Sequence, residues 1–320
     1  MRTTELSELE KTVDGDGAVE VGFRPSGELH IGNLVSIASA ALIAARNDMK
    51  LQVTCCDTDW AAHTHELVRE DNKQIMKHYF EREDPDGCHE DLAKHRFELA
   101  RPYIEAIIEE AAVDAEIEFM SELQKDPAFR ESLKRLHERM PEFDAVWDGG
   151  FRRRWKSPVA PVCDCGFSPA KGAAYAPDSE SMVFPCWAED CDRGYHEADL
   201  DGDNMLGIYY LVDPIRDTSS RDTEVHVFGG DYRKAEKGQK TSKIYKVSEI
   251  TMIANRETPD YFLAPLIVST EGKPLSKSKG TGVFLSELDE PEAFVSPFME
   301  EVAAVLRHGE NAVVVSDLVP

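Results

Sequence analysis

The sequence predicts an α/β fold: an open parallel sheet whose strands are divided along the chain by a long insertion. Three observations carry that expectation. Strand, glycine-containing turn, helix and second strand succeed one another within the first 56 residues. Strand-like apolar runs return only beyond residue 205. The stretch between is charged, helical in its spacing, and then crowded with cysteine.

The elements follow in order. After an acidic leader to about Gly17, Val19-Glu20-Val21-Gly22-Phe23 alternates as a first strand does, and Arg24-Pro25-Ser26-Gly27 breaks it. From His30 to about Arg46, Leu34, Ile37, Ala38, Ala41, Leu42 and Ala45 share one helical face, and Lys50 to Cys56 is an apolar run of strand length. This succession opens a Rossmann-like, parallel nucleotide-binding sheet. From Asp57 to about Arg154 the spacing is helical, with Phe97, Ile104, Ile107 and Ile108, then Phe129, Leu133, Leu136 and Met140. Cysteines crowd the segment from Pro161 to Cys191. Strands are expected again at Leu206 to Val212 and Glu224 to Gly229, a helix across Lys240 to Ile253, and a run from Leu263 to Ser269 leading into Ser276-Lys277-Ser278-Lys279-Gly280. Ser296-Pro297 reads as a helix start and Gly309 as its stop. The expected organisation is therefore 1–60, first half of the nucleotide-binding domain; 61–205, helical and cysteine-rich insertion; 206–290, second half; and 291–320, a C-terminal helix and tail.

Composition bounds the function. At 320 residues and 42% apolar content the chain can bury a proper core. Its 36 basic and 61 acidic residues leave a formal charge of −25, spread along the whole length. Such a surface repels polyanions at ordinary salt and suits a very salty cytoplasm, because the Debye length shrinks from about 8 Å at physiological ionic strength to about 3 Å at 1 M. No run approaches the roughly 20 apolar residues of a membrane span, and the start does not read as a signal peptide. The expectation is a soluble, cytoplasmic protein without a membrane partner.

Two short motifs carry chemistry. In His30-Ile31-Gly32-Asn33, His30 and Asn33 stand three residues apart on the first turn of a helix, where both can face phosphate and the helix N-terminus adds positive potential; Gly32 lets a base approach. In Ser276-Lys277-Ser278-Lys279-Gly280, two lysines sit in a serine-rich loop able to grip phosphates as charge develops. Singly, the first is an ordinary helix start and the second a solvated loop. Together, each after a strand, they point to the phosphates of ATP. Phe228-Gly229-Gly230-Asp231 follows another strand and reads either as a plain turn or as a carboxylate placed for ribose hydroxyls.

With these motifs the chain resembles the archaeal-type class I lysyl-tRNA synthetases over roughly residues 15–290. The resemblance rests on residues 24–33, on Asp84-Pro85-Asp86-Gly87-Cys88-His89-Glu90, on the paired cysteines, on Phe228 to Asp231 with Thr241-Ser242-Lys243, and on residues 274–280. It implies a class I synthetase catalytic domain of the HUP type that forms an aminoacyl adenylate from ATP, Mg2+ and lysine and passes lysine to tRNA. It implies catalytic roles for His30, Asn33, Lys277 and Lys279. ATP contacts are implied at Pro25, Ser26, Gly27, Gly32, Gly229, Gly230, Asp231, Ser276 and Ser278 as well, and amino-acid contacts at Gly27, Asp57 and Asp59. A lysine ammonium does need a carboxylate, and Asp57 and Asp59 follow directly on a strand; capping the next helix is the alternative.

The chain departs from the family twice. Pro274-Leu275 stands where the family loop has Lys-Met, with Lys273 one position earlier as a substitute cation. Only 40 residues follow Gly280, where family members continue into a helical anticodon-reading domain. The expectation is thus a catalytic domain alone, which opens a second reading, an ATP-dependent ligase acting on a small amine, thiol or protein. A third, a non-catalytic binding paralogue, is opposed by His30, Asn33, Asp231 and Lys277.

Among seven cysteines, Cys163-x-Cys165 and Cys186-x4-Cys191 form two close pairs that can close a tetrahedral structural Zn2+ site, with His196 as a replacement ligand. Disulfides are the alternative but suit exported proteins. Cys55, Cys56 and Cys88 read as small buried residues, and His63, His65 and His89 as solvated or packed. Arg152-Arg153-Arg154 and Lys156, beside Phe151 and Trp155, could meet the acceptor arm of a tRNA or pair internally with acids.

Overall fold

The computed structural model describes residues 17–26, 29–59, 64–70, 73–79, 92–147, 158–163, 165–168, 174–176, 181–186, 188, 191, 194–199, 206–235, 240–275, 282–288, 290–310 and 312–314. Strand β1 (Ala18–Phe23) runs into helix α1 (Ile31–Asn47) and strand β2 (Lys50–Cys55). A hairpin, β3 (Thr64–Glu70) and β4 (Lys73–Tyr79), precedes helix α2 (Leu92–Ala111) and strand β5 (Ala115–Phe119). Helix α3 (Pro127–Glu138) leads to the short strands β6 (Val159–Pro161), β7 (Phe167–Ser168), β8 (Ala174–Ala176), β9 (Ser181–Pro185), β10 (Tyr195–Asp199) and β11 (Leu206–Ile208). Helix α4 (Ile215–Ser220), strand β12 (Thr223–Phe228), helix α5 (Lys243–Asn255), strands β13 (Asp260–Leu263) and β14 (Leu266–Val268), helix α6 (Pro291–Arg307) and strand β15 (Ala312–Val314) complete the chain.

Five strands form one parallel sheet in the order β13-β12-β1-β2-β5. Read by chain position this is a doubly wound 3-2-1-4-5 order, and the winding reverses between β1 and β12. The α/β parallel-sheet expectation holds. Helices cover both faces. On one, α1, α2 and α6 bury Leu34, Ile37, Phe97, Ile104, Phe294 and Phe298 against Val19, Val21 and Val53. On the other, α3 and α5 bring Phe129, Leu133, Ile244 and Val247 together with residues of the small strands. Strand β13 shows the alternation this demands, with Phe262 in the first cluster and Tyr261 and Leu263 in the second. Buried Leu, Ile and Phe side chains contribute about 1.5–3 kcal/mol each. Helix α1 is buried nearly all round rather than on one face, because the sheet, α2 and α6 enclose it; its small residues Ser39, Ala40, Ala41 and Ala44 permit the close approach.

The middle of the second face is ionic. Glu20 alternates with Val19 and Val21 as a half-exposed strand residue would, yet it is 0% exposed. Arg216 Nη2 lies 2.6 Å from Glu20 Oε1 and Arg216 Nε 3.2 Å from Asp217 Oδ1. Arg221 joins Glu20 to Glu118 of β5, and Asp217 pairs with His226 of β12. Burial alone would raise the Glu20 carboxyl, but Arg216 and Arg221 outweigh it and hold the group below the usual range.

Several local expectations are corrected. Residues 57–154 are not helical throughout: β3 and β4 pair as an antiparallel hairpin, extended by β7, and β5 belongs to the central sheet beside β2. The Glu, Lys and Arg of these strands favour helices locally; the pairing of β3 with β4, and of β5 with the distant β2, overrides that preference. The run from 206 to 212 stops as a strand at Ile208 and turns ahead of Pro214. The run from 263 to 269 becomes two strands parted at Ala264-Pro265. Helix α6 begins at Pro291, so Pro297 lies inside it. Its stop is as expected, with Gly309 at φ 66° and the Gly309 and Glu310 amides donating to the Leu306 and Val305 carbonyls.

Two predictions arise. Glu20→Gln removes the carboxylate that two buried guanidinium groups share, leaving Arg216 only Asp217 and Arg221 only Glu118, and should cost about 3–5 kcal/mol in urea unfolding; an unchanged midpoint would show that the layer contributes nothing. Burial pushes the His137 imidazole on α3 down to about 3. Between its ordinary value of about 6.5 and that value, the unfolded chain holds a proton the folded one lacks, so stability falls with pH by up to about 1.4 kcal/mol per unit. Stability should therefore drop less steeply from pH 6.5 to 5 in His137→Gln than in the parent; parallel curves would refute this.

Candidate active site

Open α/β sheets bind ligands beyond the carboxyl ends of the strands where the winding reverses. A cavity of about 710 Å³ lies there, lined among others by Phe23, Arg24, Ser26, His30, Asn33, Phe228, Gly229, Asp231 and Val283. That size suits a small-molecule site.

The front wall is the start of α1. His30 is its N-cap, with Nδ1 accepting from the Gly32 amide at 3.1 Å, while the His30 amide donates to Asn33 Oδ1 at 3.2 Å. The two residues expected to face phosphate thus form a reciprocal cap. Because Nδ1 accepts, the hydrogen-bond pattern assigns the ring proton to Nε2, and Asn33 keeps its amide NH2 as a donor. Gly32 is required by the ring itself: a Cβ there would stand 2.9 Å from the His30 imidazole.

The opposite lip follows β12. Gly230 packs so tightly that a Cβ would come within 2.6 Å of the Ala264 carbonyl oxygen, which excludes other residues. Asp231 reaches the cavity and accepts from Lys243 Nζ at 2.5 Å. Lys243 also lines the cavity, 5.1 Å from the Tyr232 ring centroid and 5.7 Å from that of Tyr210.

The rear motif is approached from both sides. Ser276, Lys277, Ser278, Lys279 and Gly280, with Gly27 at the front, lie outside the described residues. Leu275 and Gly282, which bracket the rear stretch, both line the cavity. The Ile31 amide donates to the Val283 carbonyl at 3.0 Å and the Leu285 amide to that of Leu29 at 3.1 Å, tying the segment after the loop to the start of α1. Leu275 packs on the core where the family pattern has Met. Lys273 points elsewhere, pairing with Glu271 at 2.6 Å on the exposed surface.

The remaining expected residues are placed differently. Pro25 turns toward α2, its carbonyl accepting from Arg96 at 2.9 Å. Asp57 accepts from the amide of Ser121 at 2.8 Å and its hydroxyl at 2.6 Å, so it caps the turn Met120–Leu123. Asp59 Oδ2 lies 3.5 Å from Arg24 Nη1 and raises the Arg24 pKa. Arg24, not Asp57 or Asp59, lines the cavity. Tyr210, Asp213, Tyr232 and Lys243 were missed as site residues; only the position of Asp213 in a turn after a strand offered a signal. Cys55 and Cys56 are buried as expected, though Cys56 reaches the cavity, where burial and then Asp213 push its thiol up and leave it a poor nucleophile. The motif at 84–90, the cluster at 151–156, His63, His89 and Cys88 lie outside the described residues, and for His65 only the strand backbone is described.

A second cluster stands among the small sheets. Cys163, Cys186, Cys191 and His196 bring their ligand atoms within 4.8 Å of one another, and the cysteines described are free thiols rather than disulfides. Cys163 Sγ is 3.8 Å from Cys191 Sγ and 3.7 Å from His196 Nε2, and Cys191 Sγ is 3.8 Å from that nitrogen. Thiolate–zinc bonds of about 2.3 Å give tetrahedral edges of about 3.8 Å, so the set fits Zn2+. His196 takes the place expected for Cys165, which is exposed with its sulfur 3.5 Å from that of Cys186. Burial holds the Cys163 thiol up at about 11, so it stays protonated unless a cation displaces the proton. Zinc here would join the β6–β7 turn to the β9–β10 hairpin.

The winding order and the glycine-lipped crevice at its reversal define a nucleotide-binding α/β protein of the Rossmann-like class. Residues 3–292 match the family described as tRNA synthetases class I (K), and the chain belongs to that family. No curated protein matches the sequence. Among solved structures, tyrosyl-tRNA synthetase from Archaeoglobus fulgidus, complexed with L-tyrosine, is similar at 13% identity and TM-score 0.45, over 87% of this chain and 64% of that one. Tyrosyl-tRNA synthetase from Aeropyrum pernix is similar at 16% identity and TM-score 0.45, over 86% and 61%. Tryptophanyl-tRNA synthetase from Campylobacter jejuni is similar at 14% identity and TM-score 0.37, over 95% and 67%. The chain thus spans less than two thirds of the two tyrosyl enzymes. No described helix is long and apolar enough to cross a membrane.

Metal analysis checks the second cluster. Purified protein should carry about one zinc per chain, lost in Cys163→Ser and retained in Cys165→Ser; loss in both variants would restore Cys165 to the ligand set.

Proposed function

We propose that this chain activates lysine with ATP, forming lysyl adenylate and pyrophosphate, and transfers the lysyl group to the 3′ end of a tRNA. One observation carries the reading: His30 and Asn33 at the start of α1, and both flanks of the lysine-bearing loop, meet on one cavity at the winding reversal. The substrate carboxylate attacks the α-phosphorus, the bond to pyrophosphate breaks, and the protein's task is to hold negative charge. In this reading His30 Nε2–H, the Asn33 amide and the positive end of α1 take phosphate oxygens. Lys277 and Lys279 close on the departing pyrophosphate. Gly229, Gly230 and Asp231 receive the ribose, with Lys243 orienting the Asp231 carboxylate. Mg2+ arriving with ATP would offset the negative charge on the phosphates. Lysine is favoured by the motif resemblance and by the Asp213 carboxyl group at the cavity floor.

The test is pyrophosphate exchange into ATP, in high salt, across the twenty amino acids with and without total tRNA. Exchange should depend on lysine, and label should pass to RNA; passage to a small amine or protein would replace tRNA as the acceptor. His30→Ala and Lys277→Ala should each slow exchange by about 100-fold or more. A fully active double variant, or no exchange with any amino acid, would refute the reading.

A further inference from the structure

The floor of the cavity holds a buried carboxyl group with an unpaired oxygen. Asp213 is 4% exposed and lines the cavity, and its Oδ1 has no hydrogen-bond partner among the described residues. The Cys56 thiol meets the side chain and Arg216 and Arg24 favour its charge, yet both guanidinium groups form their ion pairs elsewhere, Arg24 with Asp59 and Arg216 with Glu20 and Asp217. The geometry is built, since Arg216 Nη1 donates to the Asp213 carbonyl at 2.7 Å and fixes the turn that carries the side chain. Burial, and then the neighbouring Asp59, push the Asp213 carboxyl well above the usual range. Leaving a polar atom buried and unpaired is costly, and a carboxylate in such a place calls for a cationic ligand. Tyr210 and Tyr232 line the same cavity and offer ring surface to methylene groups.

We propose that Asp213 binds the ammonium at the end of the substrate's side chain and so selects a cationic amino acid of lysine's length. This rests on the activation reading above. The substrate's own carboxylate must reach the phosphate at the start of α1, and Asp213 lines the same cavity beside the Cys56 thiol, just past the end of β2. In this account the side-chain ammonium, not the α-amino group, meets Asp213. Asp213 is a specificity-determining residue in this account, not a catalytic one.

Calorimetry reads binding without turnover. The protein should bind lysine about 100-fold more tightly than norleucine, which has a methyl group where lysine has its terminal ammonium. Asp213→Asn should weaken lysine about 100-fold and norleucine hardly at all, with the melting temperature reporting that the fold persists. Asp213→Glu, one methylene longer, should move the preference from lysine toward ornithine, one methylene shorter, an outcome no unfolded variant can mimic. Equal losses for lysine and norleucine in the Asn variant, or no change in either variant, would overturn the assignment. Lysine-dependent exchange in the parent with no effect of Asp213 sinks this inference and leaves activation standing; a parent that binds no amino acid and exchanges nothing sinks both.

Discussion

Glu20 lies in the central strand of the sheet, fully buried, and the cavity is assembled around it. Its carboxylate holds Arg216 on one side and Arg221 on the other. Arg216 in turn grips the peptide of Asp213 and the side chain of Asp217, and Arg221 reaches across to Glu118 at the sheet edge. Two charges taken out of water repay their desolvation only when their hydrogen-bonding geometry is met. Here the partners come from elements far apart in sequence, so the ionic layer registers the two halves of the sheet against each other. Gly22 belongs to the same arrangement, since a Cβ there would stand 3.3 Å from both Arg216 and Cys56.

Above that floor the front wall depends on economy of atoms. One imidazole caps α1, and the glycine it folds over leaves room for nothing larger. The cap and the chemistry proposed for it use different nitrogens of the ring, so holding the helix does not preclude holding a phosphate. The opposite lip works by close packing of Gly230 on the next strand, which brings Asp231 to the rim where Lys243 meets it. The segment following the lysine loop is bonded to the residues preceding α1, and the two ends of the chain's chemistry are thereby brought to one place.

The cysteine-bearing strands solve a separate problem. They are short, and their apolar side chains join a core supplied largely by α3 and α5. Three thiols and an imidazole at tetrahedral spacing would, on binding zinc, supply a local tie that short strands lack. That His196 rather than Cys165 completes the set follows from strand geometry, because His196 sits in β10 opposite Phe184 of β9 and its ring stacks on that phenyl at 5.2 Å.

By itself the sequence determined what neighbours along the chain can settle. The strand, turn, helix and strand at the front, the cap at His30 with Asn33, the glycine at 32, and the terminating Gly309 all act within a few residues of themselves. Tertiary structure alone decided what depends on distant partners. The charged stretch of β5 joined the central sheet because pairing with the distant β2 outweighs local helix preference. Asp57 was drawn to Ser121, Asp59 to Arg24, and Glu20 into a buried ionic layer. Asp213 and Lys243 reached the cavity for the same reason: electrostatic and hydrogen-bonding partners are chosen by proximity in space, and a pattern read along the chain does not contain it.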